Sequence, residues 1–216
     1  IYGSRGANGV IIIQTKGGRG ASDGVWELNS SSSFSKAQNK YDLLNREEFL
    51  AAAPNPDDLG FDTDWQDFYT RETLSSQTDL SYSKSYNSGN IRASFGYGDT
   101  QGIVQDSDQE RISGRLNILQ RFFDDKLTLT GNASLSRVNR QLAPLDGTAG
   151  STGDLIGAAL TTNPTFPADP NFAFSDNLLN PANLLENYLA ETESDRALLN
   201  ISANYAFTDE FSAKVT

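Results

Sequence analysis

The chain has no histidine, no cysteine and no methionine among its 216 residues. Without cysteine there is no disulfide framework, no thiolate zinc site and no cysteine nucleophile. Without histidine there is no Ser-His-Asp triad and no imidazole ligand, which leaves carboxylate chemistry or an all-oxygen ion site. Positive charge is scarce too: 17 Lys and Arg stand against 28 Asp and Glu, a net charge of −11. A nucleic-acid binder needs cations to displace phosphate counterions, so no nucleic-acid partner is expected. Long hydrophobic runs are missing as well. The longest, Val10 to Ile13, falls far short of the roughly 20 residues of a membrane helix. A chain that starts at Ile1 without an initiator or a leader is expected to be a piece of something longer.

What is present is alternation. Apolar residues make up 37% of the chain, a low fraction that still suits one class of membrane protein. A transmembrane β-barrel alternates lipid-facing and lumen-facing residues, so its average hydropathy stays low. From Lys126 to Ser136, Leu127, Leu129, Gly131, Ala133 and Leu135 interleave with Thr128, Thr130, Asn132, Ser134 and Ser136. This is the period of a strand with one apolar face. The same period runs through Leu80–Tyr86, Ile91–Tyr97, Ile112–Leu119 and Leu198–Phe207. Trp26, Leu28 and Phe34 mark a weaker first strand, and Phe211, Ala213 and Val215 a last one. Strands of about ten residues suit a tilted crossing of a bilayer, and aromatics such as Trp26, Tyr82, Tyr86, Tyr97 and Tyr205 near their ends suit an interfacial girdle. A soluble β-sandwich or lipocalin-like barrel shares the alternation.

Loop lengths separate these readings. Short connections at 87–90, 122–125 and 208–210 alternate with long ones near 36–75, 100–110 and 138–192. An outer-membrane barrel sorts its loops in this way, with short periplasmic turns and long extracellular loops. The first strand then runs outward. In the first long loop Asn45 and Glu48 form a capping box before Phe49–Ala53, with Pro54 as the stop, and Thr63 with Gln66 repeats the pattern around Trp65, Phe68 and Tyr69. The third loop opens with a helix near 154–161 and continues as a Pro/Asn-punctuated stretch through Asn163-Pro164, Pro170-Asn171 and Asn180-Pro181. Some fifty residues exceed the needs of a connector and suggest a binding surface.

The first twenty residues differ from a barrel strand. Gly3, Gly6 and Gly9 supply turns, and Val10–Thr15 reads as a strand buried on both sides. The glycines precede the strand and no GxxxxGK[ST] follows, so a phosphate site is not expected. The run Ile1-Tyr-Gly-Ser-Arg-Gly-Ala-Asn-Gly-Val-Ile-Ile-Ile13, with Thr15-Lys16-Gly17, resembles the end of the plug domain in the SusC/RagA family of TonB-dependent outer-membrane transporters of the Bacteroidota. Three further segments resemble that family: Thr63-Asp64-Trp65-Gln66-Asp67; Gly96-Tyr97 through Gln101-Gly102-Ile103, Ser107 and Arg111 to Arg115-Leu116-Asn117; and Asn180-Pro181 with Leu184-Leu185.

The resemblance implies an all-β fold, a transmembrane antiparallel β-barrel of about 22 strands closed by an N-terminal plug. Residues 1–20 would be the end of the plug and 21–216 the first part of the barrel, about seven strands. It implies import across the bacterial outer membrane, Gram-negative and of the Bacteroidota. A SusD-like lipoprotein would form the lid and capture glycan or peptide, and TonB–ExbB–ExbD would pull through the absent N-terminal part. Outer-membrane lipid would surround the barrel. No cofactor or metal is implied. The plug signature comprises Tyr2, Gly3, Arg5, Gly6, Ala7, Asn8, Gly9, Val10, Thr15 and Lys16.

By alternation, the lumen-facing candidates include Asn29, Arg92, Arg115 and Asn117, together with Glu27, Asp79, Asn132, Asn200 and Asn204. Trp65, Phe68, Tyr69, Phe166, Phe172 and Phe174 lie in the long loops, where rings would stack on sugars, touch the lid or pack on one another. The carboxylates Asp57, Asp58, Asp62, Asp64, Asp67, Asp106 and Asp108 also sit in loops. They lack the rigid pair a glycosidase needs and the Asp/Asn spacing of a calcium loop, so no enzyme is expected. Two other readings stay open here: a receptor for a siderophore or another small chelate, and a non-transporting adhesive barrel.

Overall fold

Alternation becomes register. In the computed structural model, which describes residues 20, 22–145, 154–174 and 179–216, seven strands lie side by side in chain order. They are β1 (Val25–Ser35), β2 (Thr73–Tyr86), β3 (Gly89–Gln101), β4 (Asp108–Phe122), β5 (Leu127–Gln141), β6 (Glu191–Ala206) and β7 (Ser212–Val215). Every neighbouring pair is antiparallel. The fold class is thus all-β. The plug-signature residues lie outside the described residues.

Directly paired residues project to the same side of an antiparallel sheet, so the register separates two faces. One row runs Trp26, Tyr82, Ala93, Leu116, Ala133, Leu199, and the row above it Leu28, Leu80, Phe95, Gly114, Leu135, Ala197. Below them run Lys84, Ile91, Ile118, Gly131, Ile201 and then Gln120, Leu129, Ala203, Val215. Aromatic residues border this belt: Tyr97 on one side, Phe122 and Tyr205 on the other. From Ile112 to Phe122 the belt covers about ten residues of β4, about 33 Å at roughly 3.3 Å each, or about 25 Å once strands tilt by about 40°. Large side chains on this face, such as Leu135, Leu199 and Ile201, are 60%, 74% and 61% exposed. The opposite face is polar.

Two features depart from the sequence reading. Strands β2 to β6 contain 13–16 residues, longer than the expected ten. The additions lie toward one end, where Asp99, Glu110, Asn139 and Glu193 continue the rows of the apolar face. Both faces are polar there, so alternation disappears while backbone pairing continues. For the same reason the connection expected over 100–110 shrinks to residues 102–107, closed by Gly102 N–H donating to Ser107 O at 2.7 Å. A Cβ at Gly102 would lie 2.6 Å from that same carbonyl oxygen, which excludes a side chain.

The connections 36–72, 102–107 and 142–190 all leave the same end of the sheet, and the short turns leave the other. Four short helices lie in the long connections: α1 (Arg46–Ala52), α2 (Trp65–Tyr69), α3 (Leu155–Thr161) and α4 (Pro181–Asn187). Both halves of the Asn45–Glu48 capping box are formed. The cap of α2 is Asp64, not Thr63: its carboxylate accepts from Gln66 N–H and Asp67 N–H. Helix α4 occupies a stretch read as irregular. Asn180 caps it and Pro181 is its first residue, where a missing N–H costs nothing. No helix among the described residues is long and apolar enough to cross a membrane, which says nothing about strands.

Candidate functional site

Register places every lumen-facing candidate on the polar face. Asn29 pairs with Asp79; Arg92 pairs with Asn117, which continues to Asn132 and Asn200. Arg115 lies one row away, paired with Ser94 and Ser134. Arg92 reaches across to β2 and β1. Its guanidinium donates to Ser83 Oγ at 2.5 Å, Ser81 Oγ at 2.9 Å and Glu27 Oε2 at 2.9 Å. Three strands are thereby tied through one fork, the geometry for which a planar guanidinium is suited.

Charge is sorted by face. The polar face carries Arg92, Arg111, Arg115, Arg121, Arg140, Arg196 and Lys214 against the carboxylates Glu27 and Asp79. The apolar face carries Lys84 and Arg137 against Asp99, Asp108, Glu110, Glu191, Glu193 and Asp195, with the carboxylates gathered toward the loop end. Arg137 grips Asp195 there with two hydrogen bonds of 2.7 and 2.6 Å.

The loop end forms a platform with its own core. Trp65, Tyr69, Leu155 and Ala159 are buried together, with Phe68, Phe166, Phe174, Leu184 and Leu185 packed against them. The six aromatic contact candidates are brought together, but largely against one another. Trp65 meets Phe68 and Phe174 edge-on at 5.6 and 6.5 Å, and Phe166, Phe172 and Phe174 form a triangle with centroids 5.3–5.5 Å apart. Trp65 is 3% exposed and Tyr69 7%, so neither ring offers a face to a ligand. Burial pushes the Tyr69 phenol above its usual value.

Side chain-to-backbone hydrogen bonds join the first long connection to the third. Trp65 Nε1 donates to Asn163 O at 3.1 Å, Thr63 Oγ1 to Phe166 O at 2.6 Å and Asn163 Nδ2 to Asp57 O at 2.9 Å. The hydroxyl of fully buried Thr165 donates to Asp57 O at 2.8 Å and accepts from Leu59 N–H at 3.4 Å. Sequence reasoning missed Thr165 and Asn163, because nothing local marks a partner about a hundred residues away. The connection 102–107 joins the same platform: Gln105 N–H donates to Tyr69 O at 2.9 Å, and Arg71 reaches Gly102 O at 3.1 Å and Asp108.

Several of the loop carboxylates have structural duties. Asp58 takes two hydrogen bonds from Arg46 at 3.0 and 2.7 Å, which hold its carboxyl below the usual range. Asp62 accepts from Arg46 N–H at 2.9 Å, and Asp67 pairs with Lys40 and holds that ammonium above its usual value. Among the described residues no group of three or more acidic side chains gathers as for a metal. Beside the platform a groove of about 980 Å³ runs between the first and third connections. Leu43, Leu44, Leu59 and Phe49 line it on one side, Phe166 and Phe172 on the other.

No family model matches the chain. Among curated proteins it is similar to the TonB-dependent receptor SusC of Bacteroides thetaiotaomicron, 38% identical over 79% of this chain and 17% of that protein. It is similar also to the TonB-dependent receptor P3 of Formosa agariphila, 33% identical over 100% of this chain and 23% of that one. The chain therefore spans about a fifth of the length of these relatives. Among solved structures it superposes on the RagAB peptide importer in the closed-closed state with a TM-score of 0.74 and 22% identity, covering 99% of this chain and 30% of that one. A separate structure of the RagAB peptide transporter gives 0.75 over 97% and 29%. These structural likenesses speak for the fold. The curated relatives are named as receptors and none as an enzyme.

Proposed function

The chain belongs to the SusC/RagA family of TonB-dependent receptors, and from that premise we propose that the protein imports a nutrient, an oligosaccharide or a peptide, across the outer membrane of a bacterium of the Bacteroidota. The observation that carries this is the two-faced sheet: an apolar belt running from Ile112 to Phe122 of β4 on one side, polar side chains and arginines on the other. In this reading the apolar belt meets lipid, the polar face lines the lumen, and residues 21–216 form the first part of the barrel. Residues 1–20 end the plug. The short turns face the periplasm and the platform faces outward, where a SusD-like lipoprotein closes over the lumen. The groove between the first and third connections, with Phe166 and Phe172 on its wall, is then the contact for that lid or its cargo. TonB, with ExbB and ExbD, supplies the pull on the plug.

The test is uptake in the native host. Deleting the receptor gene should abolish growth on one glycan or peptide from a panel, and dissipating the proton gradient should stop uptake by the complemented strain. The full-length receptor should also copurify with a surface lipoprotein. Growth unchanged on every nutrient, with no lipoprotein bound, would overturn the proposal.

A further inference from the structure

The charge on the polar face has a local focus. Of its seven cations, Arg92 is paired with Glu27 at 2.9 Å and Arg121 with Asp125 at 3.7 Å. The other five, in a chain of net charge −11, form no ion pair among the described residues. Two of them, Arg111 and Arg115, line one depression of about 360 Å³ on β2–β4. Gly96 and Gly98 are also in its lining. A Cβ at Gly96 would sit 2.6 Å from Asp79 Oδ1 and 2.9 Å from Ser113 Oγ, so the absence of a side chain lets Asp79 lie across β3. A Cβ at Gly98 would meet nothing nearer than 3.9 Å, so the space there is open.

Asp79 already has a donor of its own, Gln77 Nε2 at 2.8 Å. Two guanidiniums and one carboxylate leave one positive charge unbalanced, with the hydroxyls of Ser94 and Ser113 beside it. A guanidinium presents parallel donors that match a carboxylate. Unpaired cations on a wall of one sign also raise the local concentration of anions. We infer that the notch between Arg111 and Arg115 binds a carboxylate presented from the lumen, and that the imported solute is an acidic oligomer. This rests on the import reading above.

The experiment titrates the full-length receptor in detergent micelles with trigalacturonate and with maltotriose, two sugars of equal length that differ in charge. Trigalacturonate should bind about five- to ten-fold more tightly at low salt, as expected for two partly exposed charge pairs. Added salt should erase the difference, and so should the Arg111→Gln/Arg115→Gln double substitution. Equal binding of the two sugars, or a preference that the double substitution leaves intact, overturns the inference. A carboxylate of the plug is the other source of the same chemistry. In that case neither sugar binds, the double substitution opens an ion leak in planar bilayers, and the acidic solute is overturned while the carboxylate notch stands; binding of neither sugar without a leak overturns the notch altogether. Failure of the import reading is separate, since the receptor then supports no uptake of any solute, whatever occupies positions 111 and 115.

Discussion

In the sheet, each side chain meets neighbours at a fixed register: Leu116 lies between Ala93 and Ala133, and Ile118 between Ile91 and Gly131. In the platform, Trp65 meets Phe174 and the carbonyl of Asn163, about a hundred residues away, with no repeating rule. The sheet carries its order in backbone hydrogen bonds and faces two solvents with large exposed surfaces. The platform buries a compact core and closes it with single hydroxyl and amide contacts. Substitutions should therefore act differently in the two. A change in the sheet should be felt according to the face it points to, and a change in the platform according to how many loops it releases.

Trp65→Ala should have the largest effect. It empties a site that is 3% exposed and removes the hydrogen bond to Asn163, so it should cost about 3–5 kcal/mol. Hydrogen exchange should then rise across 36–72 and 154–190 while the strand amides stay protected. Loss of protection in β2–β5 as well would break the comparison, since sheet and platform would then be one cooperative unit. Ile118→Arg comes next. It sits in the middle rows of the apolar belt, whereas Leu129 lies a row nearer the turn end. The cost in a folding titration into lipid should be about 2–4 kcal/mol, and Thr130→Arg, on the polar face, should cost far less. Equal costs would overturn the assignment of lipid and lumen faces.

The same contrast decides what was legible in the sequence. Faces were readable because one side of each strand must be apolar over the belt: Leu127, Leu129, Ala133 and Leu135 announce theirs. Strand ends were not. Beyond Ile112 and Arg137 both faces are polar, so Asp108–Arg111 and Val138–Gln141 look like loop even though they pair residue for residue. Helix α4 was missed because Asn180-Pro181 signals a helix start as readily as a break. In the platform the right aromatic residues were singled out, but whether a ring faces a ligand or another ring depends on partners that local pattern does not encode.

Thr165→Val sharpens the platform side. The substitution keeps the volume and removes the buried hydroxyl that joins Asp57 O to Leu59 N–H. The loss should be about 1–3 kcal/mol, smaller than for Trp65→Ala because the aromatic core remains. Proteolytic nicking near residues 54–60 should report it. Unchanged nicking would mean that the aromatic packing alone holds the first and third connections together.

The smallest effect should come from acid. Asp58 has its pKa lowered first by the hydrogen bonds from Arg46 and then by Gly60 N–H. A carboxyl whose folded value lies below its unfolded value, roughly 3.9, contributes stability that is present above the unfolded value and is lost as pH falls through the folded one. The pair is partly exposed, so its share is modest. An acid titration followed by hydrogen exchange at 46–60 should show local loosening below the ordinary carboxylate range, while the strands remain protected. Asp58→Asn should loosen the same segment already at neutral pH and flatten the acid step. If the step persists in that variant, the Arg46–Asp58 pair is not its source. The platform would still differ from the sheet in kind, because its order would hang on a proton where that of the strands hangs on register.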